Sequence, residues 1–225
     1  MICHKNRLIF LHLPKCGGSS IELALTGRSW DQEELWPQQH LTAEETLQLY
    51  GAEVFHSYFK FTIVRNTWDL LLSYYLWGGS GLRGRPVTWW RWGREWGHPY
   101  SGTRRRWVRR PTFPEYLANI RDFNARLGFS LSGRDLTQQR KSISIGGGIA
   151  VDYVGRFEAL PDEFRKICQL AQLPPPQLPH RLQSKRTRHF VDYYTPAMYE
   201  LVREQYGTDI ETFGFTFGRQ SASCF

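Results

Sequence analysis

The chain has 225 residues, of which 41% are hydrophobic, and carries a net charge of +8. This length and composition fit one globular domain with a buried core. The absence of any run of about 18 apolar residues excludes a transmembrane helix. The apolar segment near the N terminus is too short for a signal peptide and lacks a small-residue cleavage site, so we expect none. We therefore expect one soluble domain over residues 1–225, located in the cytoplasm.

The beginning of the chain contains two predicted strand–loop–helix units. Residues 7–13 form an apolar run without helical spacing, which predicts a buried strand, and residues 19–25 then predict a helix that Gly27 ends. Phe59–Val64 is rich in β-forming residues, and the segment after it has apolar residues at helical spacing until Gly78 stops it.

A capped helix is predicted between these two units. Thr42 stands three residues before Glu45, which is the spacing of a capping box, and Gly51 is placed to end the helix. His40 lies just ahead of the cap, so the helix would fix its position.

The rest of the chain adds one strand and three helices to the prediction. A proline suited to a first helical turn predicts a helix over residues 114–128, and residues 142–149 are predicted to form a loop. Residues 150–157 predict a third strand, residues 161–173 its following helix, and residues 196–206 the last helix. Strands that alternate with helices indicate an α/β fold with a parallel sheet and helices on both faces.

Two short segments fall at the edge of this sheet where ligands bind. Ligands of such folds lie beyond the carboxyl ends of the strands. Residues 14–18 follow the first predicted strand and Arg65 follows the second. We therefore expect both segments to face a ligand.

The first of these segments, in the stretch HLPKCGGSS, has the chemistry of an anion site. The amide groups of Gly17, Gly18 and Ser19 can point at one anion, which the dipole of the following helix also favours. Glycine lets the backbone approach closely, and Lys15 adds a mobile positive charge. The alternative is an ordinary glycine turn, because short Gly–Lys patterns give many false matches.

The order of residues in this loop differs from that in ATPases, because a Walker A loop places its lysine after the glycines. Together with VRNTWDLLLSYY, the loop PKCGGSS resembles the 5′-phosphosulfate-binding and 3′-phosphate-binding motifs of the carbohydrate-type (Golgi-type, family 2) sulfotransferases. The segments QHLTAEE, VDYVGRFEALPDEF and YYTPAMYELVREQYGTDIETFGF look like further parts of that family in the expected order. The resemblance therefore covers most of the chain.

The resemblance implies a single sulfotransferase domain with a P-loop-NTPase-like three-layer fold, in which helices flank a central parallel β-sheet. It also implies 3′-phosphoadenosine 5′-phosphosulfate (PAPS) as co-substrate. Arg65 and Ser73, eight residues further on in the helix, would hold the 3′-phosphate. The residues that would hold the 5′-phosphosulfate are Pro14, Lys15, Cys16, Gly17, Gly18, Ser19 and Ser20.

Two residues depart from the family pattern within these motifs. Cys16 stands where such loops often have Thr, and Thr67 stands where the second motif usually has Pro. Neither change removes a backbone donor or a charge, so we expect tuned binding. A structural alternative for the second motif is that Arg65 pairs with Asp69 while Ser73 is a solvated polar residue.

Sulfuryl transfer, like phosphoryl transfer, depends on positioning and charge neutralisation. Lys15 is the candidate to neutralise the leaving phosphate. His40 is the candidate base for the acceptor hydroxyl, since members of the family carry a functional histidine at this place, although a histidine before a helix can also be a capping or surface residue. His56 and Glu33 are the other candidates, and His12 is expected to lie buried beside the loop.

Two further groups of charged residues have candidate roles. Lys185 and Arg188, in the basic segment LQSKRTRHF, are candidates for a second contact to the 3′-phosphate, because related enzymes bring a late loop back over the nucleotide. An exposed charged loop is the alternative. Arg156 and Glu158 are interpreted as a structural ion pair on the third strand.

The sequence predicts neither a metal site nor disulfide bonds. No cluster of His, Cys, Asp or Glu has metal-ligand spacing. The cysteines lack C-x-x-C spacing and are interpreted as free thiols. They are Cys3, Cys16, Cys168 and Cys224.

A Trp/Arg-rich insertion at about residues 79–112 is a third departure from the family. Between Arg83 and Arg110, nine arginines stand against the single acid Glu95, so this segment accounts for the net charge of +8. Indole rings stack on sugars and arginines bind anions, which favours an anionic saccharide acceptor. Nucleic acid or an anionic membrane surface would also suit this composition, and some of the tryptophans could be core residues. The candidate acceptor-binding residues are Trp89, Trp90, Trp92 and Arg94.

The sequence thus predicts an enzyme, a PAPS-dependent sulfotransferase that acts on an acceptor hydroxyl of a carbohydrate. A P-loop kinase is one alternative, but it would need a lysine in the Walker position and an acidic Mg²⁺ ligand. A non-catalytic polyanion-binding protein that uses the Trp/Arg insertion is the other. Its affinity would fall steeply with salt.

Overall fold

The computed structural model describes residues 1–27, 40–80, 112–120, 137–174, 177–179 and 186–219. The strands are β1 Ile2–Cys3, β2 Leu8–Leu11, β3 Phe59–Val64, β4 Ser144–Ile145, β5 Gly148–Ile149 and β6 Tyr153–Arg156. The helices are α1 Gly18–Thr26, α2 Ala43–Ser57, α3 Thr67–Ser80, α4 Phe113–Ala118, α5 Gln139–Ser142, α6 Leu160–Leu170 and α7 Pro196–Phe213.

The central sheet has four strands in the order β1-β2-β3-β6. β2 pairs with β3 in parallel, with Leu8 opposite Phe59, and β3 pairs with β6 in parallel, with Val64 opposite Arg156. The carboxyl ends of these three strands therefore meet at one edge. The prediction of an α/β fold with a mostly parallel sheet flanked by helices is confirmed, with the addition of the antiparallel edge strand β1.

The core lies around β2 and β3. All four residues of β2 are buried, and Phe61 and Ile63 of β3 have no exposed surface. Parallel strands covered on both faces need apolar residues throughout, which explains the absence of alternation in their sequences. At the start of α3, Trp68 stacks on Tyr199 of α7 with ring centroids 5.4 Å apart, so the C-terminal helix is joined to the same core.

Two helices extend beyond their predicted ends. Gly51 bends α2 with φ 80° and ψ 160°, but the helix resumes to Ser57 because Phe55 is buried in the core. Likewise, Tyr206 bends α7 with φ −123°, and the helix continues to a cap at Gly214. In both cases, burial of the later turn stabilises the helix beyond its predicted end.

The predicted loop over residues 142–149 is wrong in part, because it contains the hairpin β4–β5. Gly146 and Gly147 form its turn with φ 57° and φ 84°, which is the left-handed backbone that a two-residue hairpin requires.

Other boundaries differ by a few residues. The strand over 7–13 is the shorter β2, the strand over 150–157 is β6, and α6 ends at Leu170. α3 runs two residues past Gly78. Of the helix over 114–128, α4 accounts for the beginning, and residues 121–136 lie outside the described residues.

Most of the Trp/Arg insertion, at residues 81–111, lies outside the described residues as well. No described helix combines the length and the apolar character needed to cross a membrane.

Candidate active site

The loop between β2 and α1 presents backbone amides at the N terminus of α1. Gly17 is the N-cap residue, with φ 79°, and no side chain caps the helix. Among the described residues, the amides of Gly17, Gly18 and Ser19 donate to no protein acceptor, whereas Ser20 N already donates to Gly17 O at 3.1 Å. Three amide donors therefore stand at the positive end of the helix dipole, an arrangement that can bind an anion.

Glycine is required at position 17 for two reasons. Its backbone is left-handed, which L side chains rarely adopt. In addition, a Cβ atom there would lie 2.7 Å from Leu160 Cδ2 and 3.3 Å from the ring of Phe157. The loop is thus packed against α6 and the turn before it.

Lys15 also has a left-handed backbone, with φ 66°, a conformation that is uncommon outside glycine. Burial, and secondarily the charge of Arg65, lowers the pKa of Lys15 to about 8. The fold therefore holds an ammonium group in a place that disfavours its charge. An anion bound to the neighbouring amides would favour the charged form of Lys15 and raise its pKa again.

The side chain of Cys16 points away from this anion site. It is 1% exposed, and its thiol donates to Pro14 O at 3.5 Å and to Gln139 Oε1 at 3.8 Å. Burial raises the pKa of the thiol to about 12. Cys16 can therefore contact a ligand only through its backbone. Ser20, the other flanking residue of the predicted motif, is 6% exposed and lies within the first turn of α1.

His12 lies across the first turn of α1, as its predicted burial beside the loop implied. A Cβ atom on Gly18 would lie 2.0 Å from His12 Nε2, so only glycine leaves room for the ring. His12 Nδ1 is 2.9 Å from Glu22 Oε1, and both residues are buried. Because a carboxylate only accepts, Nδ1 carries the proton of this bond. Burial alone would raise the pKa of Glu22, but the charge and hydrogen bond of His12 lower it overall, with help from the N-terminal ammonium.

His40 lies next to His12, with ring centroids 4.4 Å apart. Its Nδ1 is 2.9 Å from the backbone oxygen of His12. A carbonyl oxygen only accepts, so Nδ1 is the donor, and a neutral ring then has its lone pair on Nε2. The predicted capping box behind His40 is present, since Thr42 N donates to Glu45 Oε2 at 2.8 Å and Glu45 N donates to Thr42 Oγ1 at 3.3 Å.

Arg65 connects the second motif to the loop. Its Nε donates to Asp69 Oδ2 at 2.8 Å, so the pairing considered from the sequence is present. Its Nη1 donates to Lys15 O, also at 2.8 Å, and the guanidinium lies 4.1 Å from the centroid of the Phe157 ring. With 5% of its surface exposed, Arg65 holds the loop whether or not it also binds a ligand.

Ser73 and the late basic segment lie around the same helix. Ser73 is 7% exposed, and its hydroxyl makes no hydrogen bond among the described residues. Arg186 pairs with the second carboxylate oxygen of Asp69, so the late segment does return to the second motif. Arg188 is exposed and lies over the ring of Tyr193 at 4.7 Å.

The Arg156–Glu158 ion pair was a wrong prediction. Arg156 instead donates to Phe213 O and lies over the ring of Phe215. Glu158 Oε1 accepts from Asn66 N at 2.7 Å, which ties the end of β6 to the second motif. The two side chains diverge because each satisfies a backbone group on a different element.

The remaining sequence candidates are separate from this cluster. His56 is exposed near the end of α2, just before β3 begins, at the opposite edge of the sheet. Five candidates lie outside the described residues, as does the loop residue Lys185. These five are Glu33, Trp89, Trp90, Trp92 and Arg94.

Gln139 was missed by sequence analysis. Its Oε1 accepts from Arg65 N at 2.7 Å, and its Nε2 donates to Arg65 O at 2.8 Å across 74 residues of sequence. A lone glutamine in a polar segment carries no local signal of such a pairing. Among the described residues, no group of His, Cys, Asp and Glu could hold a metal ion.

In a comparison with known families, the chain matches the model of the sulfotransferase family over residues 1–216. Comparison with curated proteins and with solved structures gives no match. The family match includes the loop, His40 and the second motif. The chain belongs to the sulfotransferase family.

Proposed function

We propose that the protein transfers the sulfuryl group of PAPS to an acceptor hydroxyl. Membership of the family supports a sulfuryl-transfer activity. The observation that carries the choice of donor is the set of three unpaired amides at the start of α1, in the loop that also contains the partly buried Lys15. This donor set fits a phosphosulfate, and PAPS would supply an activated sulfuryl group there.

Lys15 and the loop amides would hold the 5′-phosphosulfate and neutralise the charge that develops on the leaving phosphate. The support is electrostatic. Burial makes the ammonium of Lys15 unfavourable in the free protein, so a bound anion gains more from it than from a solvated lysine. The backbone at Pro14, Cys16 and Ser20 would complete the loop.

Arg65 and Ser73 would hold the 3′-phosphate, with Lys185 and Arg188 as further contacts from the late segment. Asp69 and the Lys15 carbonyl take two of the five N–H donors of Arg65, so the other edge of the guanidinium can serve a phosphate. The hydroxyl of Ser73, a residue that is 7% exposed, makes no hydrogen bond among the described residues and would be a second donor.

His40 would act as the general base for the acceptor hydroxyl. Its bond to the backbone oxygen of His12 keeps the proton on Nδ1, so Nε2 is the atom that would take a proton. Position and tautomer are thus fixed by the backbone next to the loop.

The acceptor is proposed to be a saccharide that is recognised by Trp89, Trp90, Trp92 and Arg94. Indole faces stack on sugar rings, and the excess of arginine in this segment suits a saccharide with anionic groups. Turnover measured on neutral and sulfated oligosaccharides tests this assignment, and a preference for neutral ones would contradict the anionic choice.

The test of the proposed function is calorimetric titration with 3′-phosphoadenosine 5′-phosphate (PAP), the product nucleotide, against ADP and ATP without added metal. We expect PAP to bind at least tenfold more tightly than either, because both lack the 3′-phosphate. His40→Asn should keep this affinity and lose turnover by about 10²- to 10⁴-fold. Equal affinity for PAP and ADP would contradict the assignment of PAPS.

A further inference from the structure

Gln139 completes the backbone pairing at the end of β3. The strand ends at Val64, and the next residue, Arg65, exchanges two hydrogen bonds with the side-chain amide of Gln139 at 2.7 and 2.8 Å. The side chain of Gln139 thus makes the two backbone hydrogen bonds that a neighbouring strand would otherwise make with Arg65. Gln139 is 0% exposed, so water cannot substitute for either bond.

The side-chain amide of Gln139 also contacts the loop between β2 and α1, which is called the phosphate loop below. The thiol of Cys16 donates to Gln139 Oε1 at 3.8 Å. Arg65 Nη1 donates to Lys15 O at 2.8 Å. The loop, Arg65 and Gln139 therefore form a closed ring of contacts, in which the first and second motifs share one buried amide.

Asp209 of α7 holds Gln139 in turn. Asp209 Oδ2 accepts from Gln139 N at 2.7 Å, and Oδ1 accepts from Arg140 N at 2.9 Å. Asp209 is 3% exposed and follows the bend of α7 at Tyr206. One carboxylate thus satisfies the first amides of the short helix α5 and sets the direction in which the Gln139 side chain points.

We propose that Gln139 is a positioning residue that locks the phosphate loop and the start of α3 into one unit, and that Asp209 sets its orientation from the C-terminal helix. The expected effect of Gln139 on nucleotide affinity depends on the proposed function. The expected effect of Gln139 on the order of the loop does not depend on it. The two can therefore be measured separately in the same protein.

Two buried cysteines allow the order of the loop to be measured directly. Cys16 in the loop is 1% exposed, and Cys168 in α6 is 0% exposed, so alkylation of either requires an opening of the structure. Global unfolding exposes both thiols, whereas loosening of the loop exposes only Cys16. The ratio of their alkylation rates, resolved by mass spectrometry of peptides, thus separates a local effect from a global one.

The test variant is Gln139→Met, which keeps the length and removes both hydrogen bonds to Arg65. The matched control is Thr137→Val. Thr137 is 1% exposed and its Oγ1 is 2.8 Å from Tyr206 OH, so this variant loses a buried bond to α7 in the same segment as Gln139. Asp209→Asn is the second variant, which keeps one acceptor oxygen.

We expect Gln139→Met to raise the Cys16:Cys168 rate ratio by about tenfold or more and to weaken PAP binding by about tenfold. Asp209→Asn should change both quantities in the same direction but less. Thr137→Val should leave the ratio and the PAP affinity at their wild-type values.

An unchanged rate ratio in Gln139→Met would overturn the inference, as would equal increases in the control. If the wild type failed to bind PAP, the proposed function would fall, while the rate ratio would still decide the role of Gln139. If Gln139→Met did not fold, Asp209→Asn would supply the same comparison.

Discussion

Single residues at this site act in two different ways. In the proposed site, Gly17, Gly18 and Ser19 would act through their backbone amides, whereas Lys15 would act through a charge that its surroundings disfavour. The left-handed backbone of Lys15 and the partial burial of its side chain lower the stability of the free protein unless another interaction compensates for them. In the proposed function, anion binding would supply that compensation.

The lowered pKa of Lys15 gives a pH dependence of nucleotide affinity. The free protein loses the ammonium charge as the pH rises through about 8, whereas a bound anion raises that pKa. Above about pH 8, anion binding therefore requires Lys15 to take up a proton. The affinity for PAP should be constant from pH 7 to about 8 and fall by up to about tenfold per pH unit above it.

Lys15→Arg is the control for this experiment, because arginine stays charged throughout the range. Its PAP affinity, measured by calorimetry, should be lower than that of the wild type and flat with pH. A parallel decline in both proteins would show that another group titrates.

The sequence allowed Lys15, Arg65 and His40 to be predicted because a short motif or a cap marks each of them. Gln139 and Asp209 could not be found in this way. Their contacts to Arg65 and to each other span 74 and 70 residues, and nothing local distinguishes a buried amide from a solvated one. Only the fold brings them together.

At the scale of elements, the joint between β2 and α1 depends on one close contact. The ring of His12, held by Glu22, occupies the place where any side chain at position 18 would go. The strand, the loop and the first helix are thus fixed to each other before any ligand binds. This contact explains why glycine stands at a position whose φ does not require it.

Gly18→Ala should lower the free energy of unfolding by about 1–3 kcal/mol, because the new Cβ overlaps the His12 ring. Chemical denaturation measures this change. His12→Ala in the same chain should recover part of the loss, as a double-mutant cycle would show.

Gly207→Ala in α7 is the matched control, since nothing lies within 4 Å of its Cβ position. This change should stabilise the protein by about 0.5–1 kcal/mol. A Gly18→Ala variant as stable as the wild type would contradict the described position of the His12 ring.

The main strands and helices of the sheet followed from the sequence, but β1, α5, the hairpin β4–β5 and the ends of some helices did not. Gly51 was expected to end α2, and the last helix was predicted to end at residue 206. Phe55 and Phe213, beyond these points, are buried and keep the later turns in place. Helix ends depend on such distant packing, which a local pattern does not contain.

At the scale of the whole molecule, parallel topology brings several of the candidate site residues together. The loop follows β2, Arg65 follows β3, and Phe157 and Glu158 follow β6. Phe157 packs against the guanidinium of Arg65, and Glu158 binds the amide of Asn66, so the ends of all three strands contribute to one site. The candidate acceptor residues lie outside the described residues, and their role stays a prediction.

The most direct test of this account is titration of PAP and of adenosine 5′-phosphate into the wild type and Arg65→Gln. The two ligands differ only in the 3′-phosphate, so their affinity ratio reports contacts to that group alone. We expect the wild type to prefer PAP by about 10- to 100-fold and the variant to lose most of that preference. A preference that survives in Arg65→Gln, while both ligands weaken equally, would show that Arg65 only shapes the loop through Lys15 and would contradict its assignment to the 3′-phosphate.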